Sequence, residues 1–303
     1  MNSTRERGGD RLFGSYFAQQ TLNGLAIGVI YGLIALGFSM VYQAINGLNF
    51  CHAMSVTIGA MLSYMLIVQL GLPVWLSFFI IVTALFVYGW LVNFCFFRFF
   101  TKGSKIVFML VSISLSGVLQ QISLIIWGPE ARALPNIFGT GKLTIGLAVV
   151  PMSNFILLGI SIAMLILLML FFNRTRFGLA MRIAAENPVN ASLMGVNVSR
   201  TYAATFSISA ALGGVAGFLV APLYGVTISL GQNLALKVFV AAVVGGVGYL
   251  PGAVGAGLLV GVLESLTSAY ISSGWRDVIV FAAGILVLAF RPIGIFRKAV
   301  TKH

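Results

Sequence analysis

Acidic residues are scarce in this 303-residue chain: six Asp and Glu stand against 18 Lys and Arg. Charged residues of both signs make up only 8% of the sequence, where a soluble domain carries about a quarter. That leaves too little polar material to coat a water-facing globule, so a soluble fold is excluded. Two cysteines, Cys51 and Cys95, lie inside apolar stretches, and with two histidines they offer neither a disulfide framework nor a metal-ligand spacing. What is present is apolar: hydrophobic residues reach 59%, mean hydropathy is +1.04, and there are 35 Gly and 24 Phe. This is the composition of a polytopic membrane protein, in which Gly is commoner than in soluble helices. The net charge of +12 would suggest a nucleic-acid partner in a soluble chain. Here the basic residues sit in short loops between apolar spans, so they report topology and no nucleic acid is expected. The start does not read as a signal peptide, because a long Gly-rich span follows Arg11 without a small-residue cleavage site.

A membrane-crossing helix needs about 20 mostly apolar residues. Candidate spans fall at 17–42, 51–70, 74–97, 106–127, 151–172, 201–223, 235–248, 251–271 and 278–290. They are continuous runs of Leu, Ile, Val and Phe without strand-like alternation, which favours helices over a barrel. The expected fold class is therefore all-α: a polytopic membrane helix bundle of about eight to ten transmembrane segments, some short or broken. Three basic stretches set the orientation: Arg98, Lys102 and Lys105; Arg174, Arg176, Arg182 and Arg200; and Arg291, Arg297, Lys298 and Lys302. They hold eleven of the 18 basic residues and a single acid, Glu186, and are expected in the cytosol. The loop 128–150 and the uncharged stretch 224–234 are expected outside. The N-terminal side stays open, because Arg5, Arg7 and Arg11 are offset by Glu6 and Asp10.

Glycines recur at four-residue spacing: Gly24, Gly28 and Gly32; Gly213 and Gly217; Gly257 and Gly261. Such spacing lets helix backbones approach closely, either within one bundle or across a dimer. The Gly139-Thr140-Gly141-Lys142 segment imitates a phosphate loop. Asn136 stands where that loop needs its first Gly, and Leu143 replaces the metal-binding hydroxyl. The chain is thus expected to hydrolyse no ATP itself. No Ser/His pair, paired carboxylates or His-rich cluster suggests an enzyme.

The segment 173–200 is the most informative. Asn187 is placed to cap a short helix with Pro188 at its first position and Gly195 at its end, and 178–185 supplies another short helix. Together with Leu193 and Met194 they make a compact cytosolic knuckle. His52, with Asn46 and Asn49, lies near a membrane boundary. It is either a helix-start histidine bonded to a carbonyl or a path-lining group. Glu264 sits deep in an apolar span. If the turn of a hairpin falls at Leu250, Lys237 and Glu264 lie about 20 Å from it at similar depth, as expected of an intramembrane ion pair. A translocation or proton-relay role for Glu264 is the other reading.

The run Gly178-x-x-x-Arg182-x-Ala184-Ala185-Glu186-Asn187, followed by Ala191, Leu193 and Gly195-Val196-Asn197, resembles the coupling loop of branched-chain amino acid ABC importer permeases of the LivH type. The segments Leu22-Asn23-Gly24, Tyr31-Gly32-Leu33-Ile34-Ala35-Leu36-Gly37, Asn46-Gly47-Leu48-Asn49-Phe50-Cys51-His52 and Phe290-Arg291-Pro292-Ile293-Gly294 are similar as well. The resemblance covers roughly 21–296. It implies a permease domain at 17–296 with a coupling loop at 174–200, an N-terminal tail at 1–16 and a cytosolic tail at 297–303. It further implies a bacterial-type inner (plasma) membrane location and a role in transport rather than catalysis. The implied partners are a homologous second permease (or a second copy), two cytosolic ATPases that carry the ATP and Mg, and an extracytoplasmic solute-binding protein. The chain itself is expected to hold no cofactor or metal. Gly178, Arg182, Ala184, Ala185, Glu186, Ala191 and Gly195 carry the implied ATPase coupling. Ala53-Met54 and Tyr249 depart from residues common in relatives, some of which handle amides, urea or other amino acids. A stand-alone proton-coupled carrier of a small polar solute is the alternative expectation.

Overall fold

The computed structural model describes residues 3–101, 103–139, 141–145, 148–291 and 294–296, with backbone alone at 3–13, 15, 142–145 and 148–150. Lys102, Thr140, Pro292, Ile293 and the 297–303 tail, with Arg297, Lys298 and Lys302, lie outside the described residues. So do the side chains of Arg5, Glu6, Arg7, Asp10 and Arg11.

Apolar runs become long helices: α1 (Ser3–Ile45), α2 (His52–Tyr64), α3 (Val74–Val92), α4 (Lys105–Trp127), α5 (Met152–Arg174), α8 (Val198–Tyr224), α9 (Leu230–Gly245), α10 (Leu250–Tyr270) and α11 (Arg276–Phe290). Two short helices, α6 (Arg176–Glu186) and α7 (Pro188–Leu193), lie between α5 and α8. Both α2 and α3 run on through a π-helical turn, at Met65–Gln69 and Asn93–Phe97. Local chemistry sets the ends. Pro73 and Pro151 precede α3 and α5, and the Asn197 side chain caps α8 by accepting from the Arg200 N–H. Among the described residues, eight helical segments are long and apolar enough to cross a membrane, and α9 is a ninth, shorter apolar helix. The chain is a multi-pass membrane helix bundle.

The helices α1 and α8 form its centre, with 89% and 83% of their most apolar stretches buried; the corresponding figures for α3, α4, α5 and α11 are only 11% to 28%. The closest seam joins α1 to α10. A Cβ on Gly28 would stand 2.8 Å from the Leu258 Cα, one on Gly24 would stand 2.7 Å from the Val262 Cα, and one on Gly261 would strike the Gly28 backbone. The glycine spacing therefore serves packing inside this chain. Gly213 and Gly217 do the same for α8 against Ser55 and Val56 of α2.

The ends of the bundle sort into two faces. After α11, the Ile295 N–H donates to Val244 O (2.8 Å) at the end of α9, and Gly248 of the α9–α10 turn lies beside Tyr42 of α1. Arg98 and Phe99 after α3 border the same hollow as Pro188 and Val189 of α7. The described parts of the three basic stretches thus share one face. At the other, Gln20 O accepts from Ser265 Oγ (2.8 Å), Tyr16 meets Tyr270 edge-on, and Arg132 and Val226 pair backbone to backbone. The N-terminal half of α1 therefore lies opposite the basic face.

Helix α1 is continuous from Ser3 to Ile45. Two features differ from the sequence expectation. The loop between α4 and α5 folds a two-stranded antiparallel hairpin, β1 (Lys142–Ile145) and β2 (Ala148–Pro151), with Lys142 opposite Pro151. The short segments start sunk in the bundle. Gly231, at the head of α9, donates its N–H to Thr57 Oγ1 (3.0 Å), and His52, at the head of α2, lies level with Ile34 and Gly37 of α1.

Candidate functional site

The knuckle on the basic face is built from local signals. Thr175 Oγ1 accepts from the Gly178 N–H (3.2 Å) to start α6, and Asn187 Oδ1 accepts from Val189 N–H (2.9 Å) and Asn190 N–H (3.1 Å) to start α7 behind Pro188. Gly195 closes α7 at φ 82°, a conformation L side chains rarely adopt. The seven residues named from the sequence divide into two groups here. Gly178, Ala184 and Ala191 are buried and shape the knuckle from within. A Cβ on Gly178 would strike the Phe172 carbonyl, so only glycine lets α6 fold back onto the end of α5. Arg182 reinforces that joint by donating from Nη2 to Phe172 O (3.1 Å). Glu186 and Gly195 are exposed and Ala185 is half-buried. The apolar tip they flank consists of Val189, Leu193 and Met194, with Leu193 82% exposed. Val189 escaped the sequence reading, although its place in the first turn after a Pro N1 marked it as surface. Beside the tip, a hollow of about 1210 Å³ runs between the end of α3 (Arg98, Phe99, Thr101) and Pro188, Val196 and Tyr202. A second, about 210 Å³, lies between Arg182 and the α9–α10 turn at Gly248 and Tyr249.

Near the opposite face, Lys237 Nζ lies 2.9 Å from Glu264 Oε1. The pair has further members that the sequence did not connect. Lys237 Nζ is also 2.8 Å from Asp277 Oδ1, and Arg276 Nε is 3.3 Å from Glu264 Oε1. Tyr31 OH donates to Glu264 Oε2 (2.7 Å) and stands 3.3 Å from Tyr224 OH. Two cations and two anions balance, and with the two phenols they tie α1, α8, α9, α10 and α11 together. A cavity of about 330 Å³ opens beside them, lined by Gln20, Asn23, Asn154, Tyr224, Ser265 and Arg276; Asn154 Nδ2 donates to Asn23 Oδ1 (2.8 Å) across it.

The third group is Asn46, Asn49 and His52. Asn46 is exposed at the end of α1 with φ 57°, while Asn49 and His52 are buried. His52 Nε2 meets Ile34 O (3.2 Å), a carbonyl that only accepts, so this nitrogen carries the proton. His52 Nδ1 faces Ser209 Oγ (3.0 Å), which also faces Gly37 O (2.9 Å), giving the hydroxyl one proton for two acceptors. The adjoining cavities, about 10 and 20 Å³, hold at most a water. His52 is thus a knot joining α1, α2 and α8 in this structure.

Among the described residues no group of three His, Cys, Asp or Glu could hold a metal. The phosphate-loop lookalike leads into β1 at Lys142, without the helix N-terminus that would face a phosphate.

Comparison with known proteins adds kinship to this geometry. The family described as "Branched-chain amino acid transport system / permease component" matches residues 20–289. The high-affinity branched-chain amino acid transport system permease protein LivH of Escherichia coli (strain K12) is 37% identical over 298 residues, covering 93% of this chain and 96% of LivH. The corresponding permease protein BraD of Pseudomonas aeruginosa is 33% identical with the same coverage. A solved structure, PsaBC from Streptococcus pneumoniae in complex with Fab, aligns with 92% of this chain and 93% of its own at 15% identity and TM-score 0.45.

Proposed function

This chain belongs to the family of branched-chain amino acid transport permease components, and from that premise we propose that it is the membrane-spanning subunit of an ATP-binding-cassette importer. It forms a path for branched-chain or related amino acids and couples that path to cytosolic ATPases by alternating access. The observation that carries the reading is the knuckle: two capped helices, joined to the end of α5 through Gly178 and Arg182, presenting an exposed apolar tip beside a hollow. A self-contained carrier has no use for such a tip. An ATPase subunit that changes shape with nucleotide has, provided the tip binds its two states unequally.

In this reading the basic face is cytosolic and the membrane is the inner (plasma) membrane. Two ATPase chains supply ATP and Mg, this chain holds no cofactor, a second permease completes the path, and an extracytoplasmic solute-binding protein delivers the solute to the opposite face. Glu264 is poorly suited to carry protons, since both its oxygens are engaged by Lys237, Arg276 and Tyr31. The test is uptake of labelled leucine into proteoliposomes holding the full complex and its binding protein. ATP-dependent accumulation is expected, and accumulation driven by a proton gradient without the ATPases would overturn the reading.

A further inference from the structure

The hollow beside the knuckle holds a polar group that the rest of the chain leaves unserved. Asn93 opens the π-helical turn at the end of α3, lines the hollow and is only 4% exposed, yet its Nδ2 has no hydrogen-bond partner. Buried amides are nearly always paired, so this one points to an acceptor from outside the chain.

Two further features of the hollow suit an anion. Helix α8 begins there, with Asn197, Val198 and Ser199 among the lining residues. The Asn197 side chain serves the Arg200 N–H, while the helix itself leaves those of Val198 and Ser199 unbonded at its positive end. Among the described residues, Arg98 is the only charged side chain lining the hollow, and no acid pairs with it.

Arg98 also joins this polar end to an apolar track. Its guanidinium lies 4.7 Å from the ring centroid of Phe94 and 5.0 Å from that of Phe99, and Phe94 stacks on Trp90 at 5.3 Å. Val87, Phe86 and Thr83 continue the exposed face at helical spacing, and the Thr83 hydroxyl is spent on Phe79 O of its own helix (2.9 Å). From Phe94 to Thr83 is about 16 Å, close to the depth of one leaflet's acyl layer, about 15 Å.

We infer that the hollow binds a membrane phospholipid with an anionic headgroup, its phosphate held by Arg98, Asn93 and the start of α8 and an acyl chain lying along Phe94 and Trp90. A helix N-terminus beside a guanidinium is well matched to phosphate, and a basic face draws anionic lipid. Phosphatidylglycerol fits better than phosphatidylethanolamine, because no carboxylate among the lining residues can receive an ammonium. Of the knuckle's apolar tip only Val189 lines the hollow, which leaves Leu193 and Met194 to a protein partner. The bound lipid ties α3 to the corner between α7 and α8. The inference goes beyond the transport reading and stands without it, since it asks only that α3 cross a membrane.

The test uses the full chain purified in neutral detergent, its melting temperature followed as dioleoyl phosphatidylglycerol or dioleoyl phosphatidylethanolamine is added. A lipid that binds the folded state raises that temperature by mass action. Phosphatidylglycerol should half-saturate the rise at a concentration about ten-fold lower than phosphatidylethanolamine. Arg98→Gln should weaken the phosphatidylglycerol response about ten-fold or more, the worth of one charge-assisted hydrogen bond. Arg176→Gln should not, because Arg176 is exposed on the same face outside the hollow. Asn93→Leu should melt no lower than the unaltered chain without lipid, since it removes an unpaired polar group, and should gain less from phosphatidylglycerol. Equal responses to the two lipids, or equal losses from Arg98→Gln and Arg176→Gln, would overturn the inference. So would a full response to inorganic phosphate, which has no acyl chain. If Arg98→Gln spares the lipid response and instead costs co-purification of the ATPase, the hollow is a protein contact and the lipid site falls.

Discussion

Gly178 is folded against the backbone of Phe172, so closely that the space for a side chain is taken by the Phe172 carbonyl. The contact packs the start of α6 onto the end of α5 across the single extended residue Thr175, so on the coupling reading proposed above a push on the knuckle would reach the transmembrane helix through this joint. Gly178→Val should therefore cost about 1–3 kcal/mol of local strain and separate the two helices. The expected outcome is a loss of uptake that exceeds any fall in membrane abundance, read by uptake against immunoblot. Unchanged uptake would mean the joint transmits nothing.

At the exposed tip, Leu193→Asp and Glu186→Lys should abolish uptake and co-purification of the ATPase while leaving membrane insertion intact. Burying a new carboxylate at a partner's apolar contact leaves it unpaired, and reversing Glu186 misplaces a charge at the rim. Gly195→Trp should have the same effect for a different reason, since it also strains a backbone held at φ 82°. Wild-type uptake from Leu193→Asp and Glu186→Lys together would remove the docking role from this surface.

The charge network gives a thermodynamic prediction. Glu264→Gln leaves Lys237 and Arg276 to share Asp277, with one positive charge in excess, and should destabilise the extracted protein by about 3–5 kcal/mol, whereas Lys237→Met with Glu264→Leu should cost less. The double substitution leaves Arg276 and Asp277 to each other at 3.8 Å, still neutral. Thermal unfolding in detergent checks this, and strictly additive effects would show the two residues to be uncoupled.

Packing along α1 and α10 predicts a contrast between glycines. Gly28→Leu should lower thermal stability by at least about 1–3 kcal/mol, because its Cβ would lie 2.8 Å from the Leu258 Cα. Gly159→Leu, with nothing within 4 Å, should be tolerated. Equal melting temperatures for the two variants would contradict the seam.

Topology is open to a direct check. Single cysteines at Gly103 and Asn190 should react from the cytosolic side and one at Asn136 from outside. Extracellular labelling at Asn190 would reverse the orientation and remove the knuckle from any cytosolic partner.

Much of this architecture could be read from the chain because its causes are local. Span length, the Asn187-Pro188 start of α7 and the Gly195 stop depend on neighbours in sequence, and the basic stretches depend on composition. The charge pair was legible from equal spacing about one turn. Asp277 and Arg276 were not, since they reach Lys237 and Glu264 only because α11 returns beside α9 and α10. The burial of His52 was hidden for the same reason: nothing near Cys51 tells that α2 begins level with the middle of α1. The outer hairpin did leave a trace, in the β-branched Thr144, Ile145, Val149 and Val150 on either side of Gly146.

The balance of two cations against two anions around Lys237 has an electrical consequence. A lone charge carried across the membrane field exchanges about 2.3 kcal/mol for every 100 mV. A cluster of zero net charge that shifts as one body exchanges almost nothing. If the helices it binds rearrange as alternating access requires, the cluster itself adds almost no voltage dependence to that motion, and depolarisation should cost it little on this account.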